Sequence, residues 1–321
     1  MKIVVLDGFT ENPGDISWKP LQDLGETIIY ERTSYRDTPQ IAERLQDAEI
    51  AVTNKTPISR KTIDRATRLK AIAVLATGYD VIDVAYAKQK GIVVMNVPVY
   101  GTENVSQFAI GLLLEACSHI GQHSVSVHRG DWSRNPDWCY WQSPLIEVAG
   151  KTAGIIGLGR IGRNTAKVLR ALQVHVLAYD AHEFGAGRAV AQYVALDELL
   201  AKSDFIFLHC PLFPETQGII NKQNLQKMKQ GVILINNSRG PLIVEQDLYE
   251  ALETGKVACA ALDVVSTEPI RADNILLKAK NCILTPHISW ATKEARQRIM
   301  QQTAENIRAF LAGTPQNVVN A

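Results

Sequence analysis

The chain has 321 residues, with 34 lysines and arginines against 33 aspartates and glutamates and 46% hydrophobic content. Near-zero net charge, with no basic run longer than two residues, argues against nucleic acid or an anionic membrane as partner. No uninterrupted apolar stretch nears the ~18 residues of a membrane span, and at about 150 residues per domain two domains are expected.

The opening run MKIVVLDG is too short for the apolar core of a signal peptide and reads as a first strand. IVVLD, TIIYE, EIAVTN, AIAVLA and IVVMN are the first strand candidates, separated by segments of helical spacing such as TPQIAERLQDA and VIDVAYAKQK. Asn96-Val97-Pro98 stops regular structure, and a long helix is expected near residues 102–125. A second series starts at Thr152: TAGIIG, VHVLAYD, SDFIFLHCPL, GVILINN, CAALDVV and CILT. A helical pattern over 291–312 closes the chain, ended by Gly313 and Pro315. Strands alternating with helices imply parallel sheets covered on both faces, hence two α/β domains with the two long helices as crossovers. The five cysteines (Cys117, Cys139, Cys210, Cys259, Cys282) are odd in number and form no CxxC pair. They read as reduced thiols of a cytoplasmic protein.

GLGRIG, Gly157 to Gly162, follows one apolar run and opens a helical pattern, and the next strand ends at Asp180. Strand, glycine turn, helix and second strand form the context in which this motif binds a dinucleotide. The glycines let the pyrophosphate approach backbone N–H groups at a helix N-terminus. A carboxylate at Asp180 suits ribose hydroxyls and repels a 2′-phosphate, and no arginine follows before Arg188, which favours NAD over NADP. Gly150-Lys151-Thr152 is no P-loop, because Leu145 stands where the first glycine belongs.

Three apolar runs stop at a titratable or charged residue: GVILINNSRG at Arg239, ACAALDVVSTEP at Glu268 and CILTPHISW at His287. Ligands of open parallel sheets bind beyond the carboxyl ends of the strands. Reducing a ketone by hydride leaves charge on oxygen, and an imidazole with a reference pKa of ~6.5 is a suitable proton donor. Glu268 is the candidate carboxylate to keep His287 charged, and Arg239 can fork onto a substrate carboxylate. A structural ion pair between Arg239 and Glu268, with His287 as a loop residue, is the alternative.

Together, GKTAGIIGLGRIG, NNSRG, DVVSTEP and TPHISW resemble the D-isomer-specific 2-hydroxyacid dehydrogenase family over essentially the whole chain. The resemblance implies two doubly wound domains with parallel sheets. A nucleotide-binding Rossmann domain (99–287) would be inserted into a flavodoxin-like substrate domain (1–98 plus 288–321), with the catalytic cleft between them. It implies Arg239, Glu268 and His287 as the catalytic residues. Thr77 and Gly78, in LATGYD, would bind substrate beside Arg239 and His287. The cofactor, NAD(H), would be held by Gly157, Gly159, Arg160, Ile161, Gly162, Asp180, Pro211, Asn237, Ser238 and Arg239. Asp263 and His287 would lie near the nicotinamide, with Trp290 over the cofactor. YGTENVSQFAIGLLLE, DWCYWQSPLIEVAGKT, HISWATKEARQRIM and GTPQNVVN look like the glycerate dehydrogenase (hydroxypyruvate reductase) group. Asn104 and Ser106 depart from the Ser and Ala more common there. D-lactate and phosphoglycerate dehydrogenases are alternatives within the family, the latter disfavoured where a C-terminal regulatory domain is expected. Formate dehydrogenases pair the histidine with glutamine rather than a residue like Glu268. An NAD-sensing corepressor-like module on the same scaffold is an alternative of another class.

Trp132, Trp138 and Trp141 crowd one stretch beside Tyr140. Either the rings fold back into the core or they form an apolar patch for a second copy. The resemblance supports a homodimer through the nucleotide domains, in which Trp141 or Trp138 reaches the neighbour's substrate site. His119 and His123 have metal-ligand spacing, but no acidic or cysteine ligand completes a site, so no metal is expected. Lys55 either overlooks the cleft or is an ordinary surface lysine.

Overall fold

A computed structural model describes all residues, Met1–Ala321. The chain divides into two compact units, Met1–Tyr100 with Trp290–Ala321, and Gly101–Ser289. No helix is long and apolar enough to cross a membrane.

The first unit carries five parallel strands: β1 (Lys2–Val5), β2 (Glu26–Ile29), β3 (Ile50–Thr53), β4 (Ala71–Val74) and β5 (Val93–Met95). Their order is β2-β1-β3-β4-β5, a doubly wound sheet. Both faces are buried. Val4 and Leu6 join one apolar cluster with Ile41 and Leu45, while Ile3 and Val5 join another with Ile299 and Ile307. That double burial is why β1 reads as a continuous apolar run rather than an alternating one. The C-terminal helix Lys293–Leu311 belongs to this unit, its first turn capped by Thr292 accepting from Ala295 N–H.

The second unit carries seven parallel strands: β6 (Thr152–Ile156), β7 (His175–Tyr179), β8 (Gln192–Tyr193), β9 (Phe205–Leu208), β10 (Val232–Asn236), β11 (Val257–Leu262) and β12 (Cys282–Leu284). The order β12-β11-β10-β9-β6-β7-β8 reverses direction between β6 and β9, the switch point at which nucleotides bind such sheets. Again alternate residues face opposite cores: Phe205 and Phe207 one way, Ile206 and Leu208 the other. Strand β8, two residues long at the sheet edge, has no apolar run to announce it.

The single long helix expected over 102–125 is two helices, Thr102–Ser118 and Ile120–His128. His119 between them has φ +49°, a left-handed conformation that histidine tolerates better than most residues. Its N–H bonds Glu115 O, and the Glu115 carboxylate accepts Gly121 N–H, so the break is capped from both sides.

One buried carboxyl in the first unit was invisible in the sequence. Arg296, 7% exposed, pairs both oxygens of Asp15 at 2.7 and 2.6 Å and donates to the backbone carbonyls of Glu11 and Ala291. The Glu11 side chain, fully buried, has neither oxygen hydrogen-bonded. Burial pushes its pKa to about 9, with Arg296 pulling it partly down and Asp7 adding to the rise. A carboxyl with a raised folded pKa favours folding fully below its ordinary value of 4.5 and loses that contribution as pH rises through 9. Glu11→Gln should therefore raise the thermal unfolding temperature by about 2–4 °C at pH 8 and change it little at pH 4. A loss of stability at both pH values would contradict this burial.

Candidate active site

Two of the three glycines of GLGRIG are dictated by contact. Gly157 has φ +97°, and a Cβ there would lie 2.4 Å from Cys210 N across the switch point. A Cβ on Gly162 would lie 2.2 Å from Gly157 O, so the helix Arg160–Ala171 meets the turn only without a side chain. Gly159, the residue before that helix, has open space where its Cβ would be. Asp180 follows β7, its Oδ2 accepting Leu158 N–H at 2.7 Å and its Oδ1 accepting His182 N–H at 3.0 Å. Each carboxylate oxygen has two lone pairs, so both keep one for a ribose hydroxyl. Space above Gly159, free lone pairs on Asp180 and a helix N-terminus fit the pyrophosphate and adenosine ribose of NAD. His209, following β9, shares a 3.0 Å hydrogen bond with Thr165 Oγ1. Desolvation pulls its pKa down to about 4, keeping the switch point free of a cation.

At the end of β10 the dipeptide Asn236-Asn237 turns the chain. Asn236, fully buried, accepts Ser238 N–H at 3.0 Å and donates to Arg239 O at 2.9 Å. Asn237 donates to Val105 O, and Ser238 Oγ to Cys210 O. The exposed Arg239 guanidinium donates to Ser238 O at 2.8 Å and forms no salt bridge to a carboxylate. The structural pair Arg239–Glu268 is thus not made, and the cation is left with most of its donors. Beyond it, a Cβ on Gly240 would lie 1.9 Å from Val265 O, so the Arg239 turn and the Glu268 loop touch backbone to backbone.

The third polar group comes from a strained turn. His287 has φ +54°, and its N–H is shared between Asp263 O at 2.9 Å and Thr285 O at 3.0 Å. Its Nδ1 lies 2.7 Å from Glu268 Oε2, while Glu268 Oε1 accepts Val265 N–H at 3.3 Å. Both side chains are about one-third exposed, 28% and 36%. A carboxylate can only accept, so Nδ1 carries the proton in this bond and Nε2 is the nitrogen left for other chemistry.

Asp263, expected near the nicotinamide, directly follows β11 and braces the turn that carries His287. It is 1% exposed and both its oxygens serve the histidine turn: Oδ1 accepts Thr285 Oγ1 at 2.6 Å and Ile288 N–H at 2.9 Å, Oδ2 accepts Ser289 N–H at 2.8 Å. Three hydrogen bonds to one carboxylate can hold His287 in its left-handed conformation. Asn104 adds to the same frame by donating to Ser289 O at 2.7 Å. Ser106 donates to Thr102 O and Glu103 O and accepts Asn164 Nδ2. The two departures from the family pattern thus serve the entry to the helix Thr102–Ser118.

Trp290 lies in the first unit, packed against its core. Thr77 also belongs to that unit, after β4, its hydroxyl donating to Val97 O while Asn96 donates to Thr77 O; Gly78 follows it. Trp132, Trp138 and Trp141 do not fold back: they are 51%, 86% and 66% exposed. Polar bonds tie this stretch to the helix Ile120–His128, whose Ser126 contacts Asp131, Tyr140 and Gln142. Of the histidines with metal-like spacing, His123 contacts His119 O and accepts Gln142 N–H.

A glycine-lined dinucleotide turn together with an imidazole–carboxylate pair and a nearby uncommitted arginine defines a nicotinamide-dependent oxidoreductase. Residues 110–289 match the family model of the D-isomer specific 2-hydroxyacid dehydrogenase NAD binding domain. The chain is 60% identical over 321 residues, all of both chains, to a hydroxypyruvate reductase of Blautia hydrogenotrophica. It is 44% identical to a glycerate dehydrogenase of Methylorubrum extorquens over 88% of this chain and 90% of that one. Among solved structures, a D-lactate dehydrogenase from Aquifex aeolicus, complexed with NAD and lactic acid, superposes with TM-score 0.83 at 28% identity, covering 100% of this chain and 99% of the other. The chain belongs to the D-isomer-specific 2-hydroxyacid dehydrogenase family, and its second unit carries that family's NAD-binding domain.

Proposed function

We propose that this chain reduces a short 2-keto acid, hydroxypyruvate or glyoxylate foremost, to the D-2-hydroxy acid with NADH. The observation that carries the reading is the 2.7 Å contact between His287 Nδ1 and Glu268 at the carboxyl ends of β11 and β12. The whole-length identity with a hydroxypyruvate reductase supports the choice of substrate. When bound, the reduced nicotinamide supplies the hydride. His287 Nε2 gives a proton to the carbonyl oxygen as charge develops there, a step typically worth ~10²–10⁴ in rate. Glu268 fixes the ring orientation by holding Nδ1–H. Arg239 binds the substrate carboxylate through donors that no protein carboxylate occupies. Thr77 and Gly78 are further proposed substrate contacts. Arg160, Ile161, Pro211, Asn237, Ser238 and Trp290 are proposed to line the cofactor with Gly157, Gly159, Gly162 and Asp180.

The exposed aromatic loop supports a homodimer. Trp138, Trp141, Ile120, Val125 and Leu145, all at least half exposed, are an apolar area that a monomer leaves in water. In this proposal Trp141 or Trp138 reaches the substrate site of the second copy. The five free cysteines, three of them buried, support a reducing cytoplasmic setting.

NADH oxidation assayed with hydroxypyruvate, glyoxylate, pyruvate and phenylpyruvate should give the highest kcat/KM on one of the first two. His287→Ala should lower kcat by ~10²–10⁴ and leave NADH affinity nearly intact. Tight NADH binding without turnover on any of the four, or equal loss of both properties in the variant, would sink the reading. Sedimentation should give twice the 35.4 kDa chain mass, and Trp138→Ser should weaken the association; a monomeric wild type would contradict the dimer.

A further inference from the structure

The loop that delivers Glu268 is exposed and irregular. Residues 266–273 are all solvent-exposed and belong to no strand or helix. A carboxylate on such a segment is not held within the few tenths of an ångström that a proton-donating pair needs unless something outside the loop fixes it. The fixing group is Glu245, the first residue of the helix Glu245–Glu253. Its Oε1 accepts the backbone N–H of Ser266 at 2.7 Å, two residues before Glu268. Its Oε2 accepts Asn274 Nδ2 at 2.9 Å, at the far end of the same segment.

The two bonds pin the loop at both ends. Asn274 is itself immobilised, because its Oδ1 caps the 3-10 turn Ile275–Lys278 by accepting Leu276 N–H at 2.9 Å. At the near end, Ser266 adjoins Val265, whose carbonyl rests on Gly240 and whose N–H bonds Glu268 Oε1. A carboxylate acceptor makes each bond charge-assisted, shorter and stronger than a neutral one. Its place in the first turn of a helix also puts the negative charge at the positive end of the helix dipole.

We propose that Glu245 is a positioning residue for the reaction: an anionic clamp on Ser266 and Asn274 that sets Glu268, and through it His287. Glu245 touches neither substrate nor cofactor in this role. The proposal rests on the assignment of His287 and Glu268 as the acid pair.

Glu245→Ala and Glu245→Gln test it, compared by steady-state kinetics, NADH fluorescence titration and thermal unfolding. A misplacement of about 1 Å can cost on the order of 10² in rate. Glu245→Ala should therefore lower kcat about 10- to 100-fold, with KM for the keto acid and NADH affinity little changed. Glu245→Gln keeps an acceptor for Ser266 N–H but turns an amide donor toward Asn274, so its kcat should fall between wild type and Glu245→Ala. In a Glu268→Gln background, Glu245→Ala should cost almost nothing further. Wild-type kcat in Glu245→Ala overturns the clamp, as does a full additional loss in the Glu268→Gln background. So does a parallel collapse of kcat, NADH affinity and unfolding temperature in both variants, which would make Glu245 a general stability residue. If His287→Ala keeps wild-type kcat, the acid-pair assignment fails first. If its kcat falls as expected while Glu245→Ala turns over normally, only the clamp fails.

Discussion

Everything in the second unit that bears on chemistry converges on the contact between His287 Nδ1 and Glu268 Oε2. The two groups lie 19 residues apart in sequence and come from different strand ends. Their meeting depends on β11 and β12 being paired in parallel register, Ala260 with Cys282 through Leu262 with Leu284. The pairing ends both strands on the same edge, and the backbone then has to turn tightly. It does so through a left-handed histidine, which Asp263 stabilises with three accepted hydrogen bonds. The cost of an unusual backbone conformation is thus offset by a buried carboxylate immediately after the previous strand.

The same economy of space governs the cofactor side. Gly157 and Gly162 are glycine because neighbouring backbone atoms lie within 2.4 Å of where a Cβ would sit. Gly240 plays the equivalent part between the Arg239 turn and the Glu268 loop. Close backbone contacts of this kind bring the turns beyond the strand ends against one another. A site requiring sub-ångström placement needs such support for its turns and loops.

Much of this was legible in the sequence for a simple reason. A doubly wound sheet buries both faces, so its strands appear as unbroken apolar runs, and a charged residue ending such a run must lie at the sheet edge. Arg239, Glu268, His287 and Asp180 all announced themselves that way. The dinucleotide turn did so through glycine spacing between a strand and a helix. What stayed hidden has no periodicity. Asp263 ends an apolar run as the others do, and only its partners reveal that it braces the histidine turn. Glu245 looks like an ordinary acidic residue in a helix's first turn, and Glu11 like a loop carboxylate beside Asn12-Pro13-Gly14, although it is fully buried. The break at His119 follows from capping by Glu115, a local contact that apolar spacing does not encode. The exposed tryptophans were ambiguous because composition alone does not say whether a ring has found a core.

Whether His287 and Glu268 work as one unit is decided most directly by a double-mutant cycle on kcat for keto-acid reduction. Residues that act together lose activity non-additively. His287→Ala and Glu268→Gln should each lower kcat severely, and Glu268→Gln should cost almost nothing more once His287 is already alanine. If the two losses simply multiply, the 2.7 Å contact is structural and the proton comes from elsewhere.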